Sequence, residues 1–567
     1  MAFPHRWATV ISAISVVPIH FPGGQTMFIS FSFFTGIRDA VPWRTRSWLV
    51  KLMLLMTLMI AVSGATAAAT PASPDKTRQV QLEAELTGEL QRVVNAQRRI
   101  EGQGRDVVVS VRFVRDDRQQ LGLVIDLSEA YVPQGALYFG AEMEDLTSEL
   151  ANIASEFLRN IIVISGVDIR FGGKDIYDYF PAESRFALFS GRGASAPVTA
   201  ATIVSAAGHG IYYHYGFKDW RAQRDPSNGI TEDFITPDYA TELSLWLEKR
   251  SDIAAKFPRS NTTAEHGPSG QPWDEIGARY NLQLIYPENP NLWHSLPDTT
   301  GNLRERNEDI RSRPLFANHI GADAIFHLHT NAADQAASGV RAIYHTGRSA
   351  DQRLANNVLC YMKELIQAKE MYKNYPVPSQ SEKRNNLGEN RLATMPSVII
   401  EAGFHTNPSD AAALKDPVFR TAAMKGVEKG YRLTAEDKGC EPFKIDRIPD
   451  TSGMQNTYIP VEVHYQGYPQ FAVTAKVEVV SCPGGWTCSG GELEYPDHED
   501  TPLVYEVMCN GIWWSPATFR FKTSLSDLDG VSPAAVEHTM TCLPPGIRGN
   551  SGTGGRPSIS LRPQKAR

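Results

Sequence analysis

Cysteine is scarce in this chain and unevenly placed. Of six, Cys360 and Cys440 lie upstream, while Cys482, Cys488, Cys509 and Cys542 crowd the end. Closely spaced CxxC pairs are missing, which speaks against a zinc ribbon. An even number in an exported chain instead reads as disulfides of open connectivity, and "CPGGWTC" allows a local Cys482–Cys488 loop turned at Gly484 and Gly485. Charge of one sign is also lacking: 56 basic and 63 acidic residues leave a net charge of −7. No basic stripe stands out, so no nucleic-acid partner is expected. Long apolar runs are few, and Leu52–Val62 falls short of the about 20 residues that a membrane span needs. No internal repeat points to a solenoid. What is present is an ordinary globular balance, 42% hydrophobic and 21% charged, which excludes a wholly disordered chain. The length of 567 residues is too great for one core and suggests roughly three or four domains.

The apolar run has a context. In "RTRSWLVKLMLLMTLMIAVSGATAAATPASP" a basic flank (Arg44, Arg46, Lys51) precedes it and small residues follow, with Ala65-Thr66-Ala67 as an A-x-A-like site. That order is a secretory signal. Residues 1–69 are therefore read as leader and signal, with a mature chain beginning near Thr70, export to the periplasm or beyond, and no stable membrane span after cleavage. An uncleaved anchor is the alternative reading. The apolar "MFISFSFFTGI" before Trp43 is unusual for a signal.

The rest divides by texture. Residues 70–195 read as a small α+β domain: "DVVVSVRFV" and "QLGLVIDLS" as strands, then a helix with Leu146, Leu150, Ile153 and Phe157 on one face, then "GVDIRFGG" as a strand. In "LVIDLSEAYV" and the helix followed by "GVDIRF" this segment resembles the spore-germination GerM-type domain, which implies a binding or positioning module. From residue 196 to 440, apolar strands alternate with helices, which implies a mostly parallel α/β sheet covered on both faces. The helix "DFITPDYATELSLWLEKRS" presents Leu243, Trp246 and Leu247, while the Pro- and Asn-rich stretch Phe257–Asn302 has weak periodicity and suits a cleft wall or lid. Residues 441–545 carry short alternating strands, a disulfide-containing β-sandwich. Residues 546–567 read as a low-complexity, disordered tail.

Four side chains sit at expected element ends in the α/β unit: His209 in "SAAGHGIYY", Glu232 in "NGITEDF", His329 in "AIFHLHTNAA" and Glu401 in "PSVIIEAGF". In an open parallel sheet, ligands gather at the carboxyl ends of the strands. Two imidazoles and a carboxylate leave a fourth position on zinc for water, and a further carboxylate can take that water's proton. Each has a bland counterpart. Gly-His-Gly makes ordinary turns, Glu232 suits a helix start, Glu401 suits a buried ion pair, and Asp233 and Glu242 are rival ligands. On a strand His327 faces the same side as His329.

Taken in order, "SAAGHG…GITED…RPLFANHIGADAIFHLHTNAA…GVRAIYHT…MPSVIIEAGFHTN" resembles the zinc-dependent N-acetylmuramoyl-L-alanine amidases of the amidase-3 family, over about residues 201–433. Arg313 to Asn318 fits its R-x-x-x-A-N piece and Pro396 to Asn407 its closing piece. The resemblance implies one zinc ion per chain on His209, Glu232 and His329, with Glu401 as the acid–base residue. It also implies cleavage of the amide between the N-acetylmuramic acid lactyl group and L-alanine in peptidoglycan. His327 stands where the family has serine, on the same strand face as His329, and is read as either tuning the metal set or competing for the metal. The bulky "GHGIYYHYGFKDWRAQRD", the long stretch before Arg313 and His405 depart from the pattern, and Tyr212, Tyr213 and Trp220 are expected to line the cleft. Little room is left between His329 and Glu401 for a plugging helix. Activity without an activator protein is therefore expected, from an isolated unit of about 196–440. A zinc peptidase cutting another amide, or a non-catalytic wall-binding protein, are the alternatives.

Overall fold

The structure, a computed structural model, describes residues 14–20, 26–32, 76–116, 118–184, 201–497, 501–511, 513–544 and 558–563. The chain divides into two units, Met1–Ala72 and Ser73–Arg567. In the first, Ile14–His20 and Thr26–Ser32 pair antiparallel. The signal segment and its cleavage site lie outside the described residues. Among the described residues no helix is long and apolar enough to cross a membrane.

In the second unit the elements that matter for the site are, in chain order, α1 (Lys76–Ala96), β1 (Val109–Arg115), β2 (Leu121–Leu127), α2 (Ala141–Leu158), β3 (Gly166–Phe171), β4 (Ile203–Ala207), α3 (Glu232–Ser251), α4 (Arg304–Ile320), β5 (Ala324–Asn331), β6 (Arg341–His345), α5 (Ser349–Gln367), β7 (Glu382–Arg384), α6 (Gly388–Leu392), β8 (Ser397–Phe404), α7 (Pro408–Lys415) and α8 (Pro417–Ala435). Strands β1 to β8 form one sheet in the order β1-β2-β3-β7-β6-β8-β5-β4. Only β1–β2 and β6–β8 pair antiparallel, so the sheet is mostly parallel as expected. Helices cover both of its faces, so the inner strands β5 and β6 and the edge strand β4 are all buried along their whole length. Phe326, Leu328, Val398 and Ile400 meet Leu243, Leu247, Val358 and Val427 from α3, α5 and α8 in one core.

The N-terminal α+β segment does not keep a sheet to itself. β3 pairs in parallel with β7, so the strands of residues 109–171 extend the α/β sheet. A three-residue strand such as β7 presents unpaired backbone groups unless a neighbour covers it, and β3 is that neighbour. The segment still has its own core, where Leu146 and Leu150 of α2 meet Leu86 and Leu90 of α1 and Ile125 and Ile169 of the strands.

After Cys440 the helices stop and two sheets face each other. Lys444–Arg447, Tyr458–Gln466, Leu503–Asn510 and Ser558–Pro563 make one, and Thr451–Met454, Val536–Leu543, Ala517–Ser526, Val473–Ser481 and Gly491–Tyr495 the other. Alternation drives this: inward Val461, Val463, Tyr505, Phe519 and Phe521 are buried while their neighbours face water. One sequence expectation fails here. Residues 558–563, read as part of a disordered tail, form a strand against Leu503–Asn510, because Ile559 alternates into the sandwich core. Disulfides join Cys482 to Cys488, as "CPGGWTC" suggests, Cys509 to Cys542 between the sheets, and Cys360 on α5 to Cys440.

Candidate metal centre and its cleft

The site is assembled at the carboxyl ends of β4, β5 and β8. β4 runs into Gly208-His209-Gly210, where His209 takes φ 56° and Gly210 φ 127°. The sharp turn is pinned from three sides. Thr236 Oγ1 donates to the Gly208 carbonyl, Arg259 donates to the carbonyls of Gly208 and His209, and Asp233 Oδ1 accepts from the Gly210 N–H. Asp233 also accepts from the N–H groups of Gln223 and Arg224. The rival ligand Asp233 is thus consumed in building the turn. Glu242, the other rival, accepts from Trp246 and Thr421 away from the site.

His209, Glu232 and His329 converge, all buried, with one donor atom from each lying within 4.8 Å of the others. Glu232 opens α3, where the helix dipole favours a carboxylate. Its Oε1 stands 3.5 Å from His209 Nε2 and 2.9 Å from His329 Nδ1, and also accepts from the Thr330 N–H. The rings of His209 and His329 sit 4.7 Å apart at 77°. Gly208 is required for this closeness, since a Cβ there would lie 2.3 Å from His329 Cε1. Such a two-histidine, one-carboxylate set at contact spacing fits a divalent ion with an open position.

Glu401 is brought beside the set by strand register. β5 and β8 pair in parallel with His329 opposite Glu401, so both side chains rise from the same face. Oε2 of Glu401 is buried and makes no hydrogen bond. Burial, helped by the charges of Glu232 and Glu389 and opposed by His329, pushes its carboxyl up to about 7. A carboxyl so tuned is poised to exchange a proton near neutrality.

Two charged residues behind the set were not legible in sequence as site residues. Glu389, on the short α6, places Oε2 2.8 Å from His329 Nε2 and accepts from Arg313 Nε at 2.6 Å. Arg313 also donates to Asp309, which accepts from Gln223, whose own Oε1 stands 3.3 Å from His209 Nδ1. Both histidines are therefore tied at their outer nitrogens to one buried network. Burial disfavours charge on His329, but Glu389 and then Glu232 outweigh it and push the imidazole up to about 10. His209, where burial is reinforced by Arg224 and His329, is held well below the usual histidine range. Burial opposes the Glu389 charge, yet Arg313 and His329 hold its carboxyl well below the usual range. A signal was available: Arg313 is a motif residue, and a buried guanidinium demands a carboxylate. His327 lies fully buried with Nδ1 3.4 Å from Glu389, outside the donor set. His405 contacts Thr330 through Nδ1.

A cleft of about 910 Å³ opens onto the donors. Its far wall is α2 of the N-terminal segment, contributing Glu144, Ser148, Asn152 and Glu156 among others. That wall is bolted on: Asp145 pairs with Arg224 and Arg306, Asn152 bonds Asn331 and Arg384, and Glu156 pairs with Arg341. The sequence expectation placed Tyr212, Tyr213, Trp220 and the stretch Phe257–Asn302 there, and none of the cleft-lining residues comes from them. Trp220 and Tyr213 instead cluster with each other, and Trp220 packs on His266 and Tyr280. Burial of those rings against the long stretch, and the anchoring of Arg259 beneath the His209 turn, use both segments as braces.

Residues 203–432 match the amidase-3 family, described as N-acetylmuramoyl-L-alanine amidase. A curated relative, the germination-specific N-acetylmuramoyl-L-alanine amidase of Bacillus subtilis (strain 168), is 27% identical over 146 residues, which is 25% of this chain and 58% of the relative. The chain thus spans just over half the length of that relative. Among solved structures, an N-acetylmuramoyl-L-alanine amidase from Clostridium difficile 630 is 18% identical at a TM-score of 0.29, covering 42% of this chain and 100% of the other. The CwlD amidase of Clostridioides difficile, solved in complex with the GerS lipoprotein, is 18% identical at a TM-score of 0.27, covering 42% of this chain and 98% of the other.

Proposed function

We propose that this chain, whose residues 203–432 belong to the amidase-3 family, is an exported zinc-dependent hydrolase of peptidoglycan. The bond cleaved is the amide between the lactyl group of N-acetylmuramic acid and L-alanine. The observation that carries this reading is the convergence of His209, Glu232 and His329 with Glu401 opposite His329 in register.

His209, Glu232 and His329 would hold one zinc ion, which would supply Lewis acidity at the scissile carbonyl and lower the pKa of a bound water. The residues of the chain do the rest. Glu401, whose buried Oε2 makes no hydrogen bond and whose carboxyl is raised to about 7, takes the proton from the attacking water and returns it to the leaving alanine nitrogen. The wall formed by α2 bounds one side of the cleft, whose volume of about 910 Å³ leaves room for part of a polymer strand and its peptide. The export signal in residues 44–69 suits a polymer that lies outside the cytoplasm. Activity without an activator protein is part of the proposal for the full chain, because the cleft already reaches the donors.

The test is metal content and muropeptide mass for four proteins. The wild type should hold one zinc and release intact L-alanine-ended peptides. His209→Ala and His329→Ala should lose the metal. Glu401→Ala should keep it and lose roughly 10²–10⁴-fold in turnover, the contribution of a general acid–base group. Peptides lacking the terminal L-alanine would indicate a zinc peptidase, and zinc uptake with no release of any peptide a non-catalytic wall-binding protein.

A further inference from the structure

Glu389 stands on the far side of His329 from the donor set. The two nitrogens of an imidazole point away from each other, so one ion cannot meet both. Nδ1 is the nitrogen that shares the donor space with Glu232, at 2.9 Å, while Nε2 faces Glu389 at 2.8 Å. A half-turn of the ring would point carbon atoms at both carboxylates, so the observed orientation is the one with two polar partners. Gly208 leaves the space the ring occupies, since a Cβ there would lie 2.3 Å from Cε1, 2.5 Å from Nδ1 and 2.7 Å from Nε2. His209 is treated differently: its outer nitrogen faces the amide of Gln223 at 3.3 Å, not a carboxylate.

We propose that Glu389 is a positioning residue of the metal centre. It accepts the Nε2–H of His329 and so holds the ring in the tautomer that offers Nδ1 to the ion. Arg313 fixes Glu389 in turn, through a 2.6 Å bond to the opposite carboxylate oxygen, with both residues buried. A carboxylate behind a metal-bound imidazole sets the ring's tautomer and orientation and strengthens it as a donor. The two histidines are then unequal ligands, His329 the stronger. This inference rests on the reading of His209, Glu232 and His329 as the zinc ligands.

The test uses the full chain with isotope-labelled histidine, loaded with zinc or with an NMR-active cadmium ion. The expected result is metal–nitrogen coupling at Nδ1 of His329 and a retained, slowly exchanging proton on Nε2. Alongside it, Glu389→Gln should weaken zinc binding roughly 10–100-fold by chelator competition, the loss expected when such an outer partner is removed. Glu389→Asp, which keeps the charge, should recover part of that loss. Coupling at Nε2, or zinc affinity of Glu389→Gln equal to that of wild type, overturns the inference while leaving the metal centre in place. A wild-type protein that takes up no metal overturns the metal centre itself, and this inference with it. If Glu389→Gln fails to fold, as judged by circular dichroism, the coupling measured in the wild type decides.

Discussion

At the scale of single residues, His329 is the pivot of the site. It touches Glu232 on one side, Glu389 on the other and Gly208 on its face. Its imidazole, pushed up to about 10, carries a proton in the metal-free protein at neutral pH. A metal ligand must be neutral, so zinc has to displace that proton. Zinc affinity is therefore expected to rise roughly tenfold per pH unit below about pH 9, with proton release on binding, as read by chelator titration in buffers of different ionisation enthalpy. The stability consequence in the metal-free protein runs the other way. A raised histidine pKa contributes stability that is complete below the unfolded value of about 6.5 and lost as pH rises through the folded value of about 10. His209, held well below its ordinary range, is already neutral and adds no proton to the exchange.

At the scale of elements, the decisive pairing is β3 with β7. It joins the N-terminal strands to the α/β sheet and sets α2 as a wall of the cleft. A fragment of residues 196–440 would expose the edge of β7 and lose every partner of Arg306, Arg384 and Arg341 on α2. The expectation that this unit works alone therefore needs revision. It should aggregate or elute as a broad oligomer on size exclusion, whereas residues 73–440 should be monodisperse and bind zinc. A monodisperse, active 196–440 fragment would show that the shared sheet is dispensable. Nothing in the alternation of "DVVVSVRFV" and "GVDIRFGG" distinguishes strands that close a sheet from strands that extend a neighbour's.

At the scale of the whole molecule, the sandwich is fastened to the back of the α/β unit by Asp529. Its carboxylate, buried in a sandwich turn, accepts from Arg250 of α3 at 2.6 and 3.0 Å and from Lys425 of α8 at 2.8 Å. Burial disfavours the charge, but Arg250 and Lys425 hold the carboxyl below its usual range. Removing one member of a buried ion cluster leaves the others uncompensated. Asp529→Ala should cost about 3–5 kcal/mol, seen as an earlier first transition in urea with metal content unchanged. A shift smaller than the error of the measurement would mean that the two parts are held by other contacts.

The sequence alone determined where the four candidate side chains sit in their elements: His209, Glu232, His329 and Glu401 follow apolar strands or open a helix, and local pattern is enough to place element ends. It also determined the α/β character of residues 196–440, the change to alternating strands after Cys440 and the Cys482–Cys488 loop, because each depends on near neighbours in the chain. Only the tertiary structure decided which strand edge the N-terminal segment covers, which helix walls the cleft, and which carboxylate stands behind His329. Glu389 and His329 are separated by 60 positions, and their contact depends on how β5, β8 and α6 stack. Sheet order and cross-element contacts of that kind depend on packing between distant segments, which no local periodicity records.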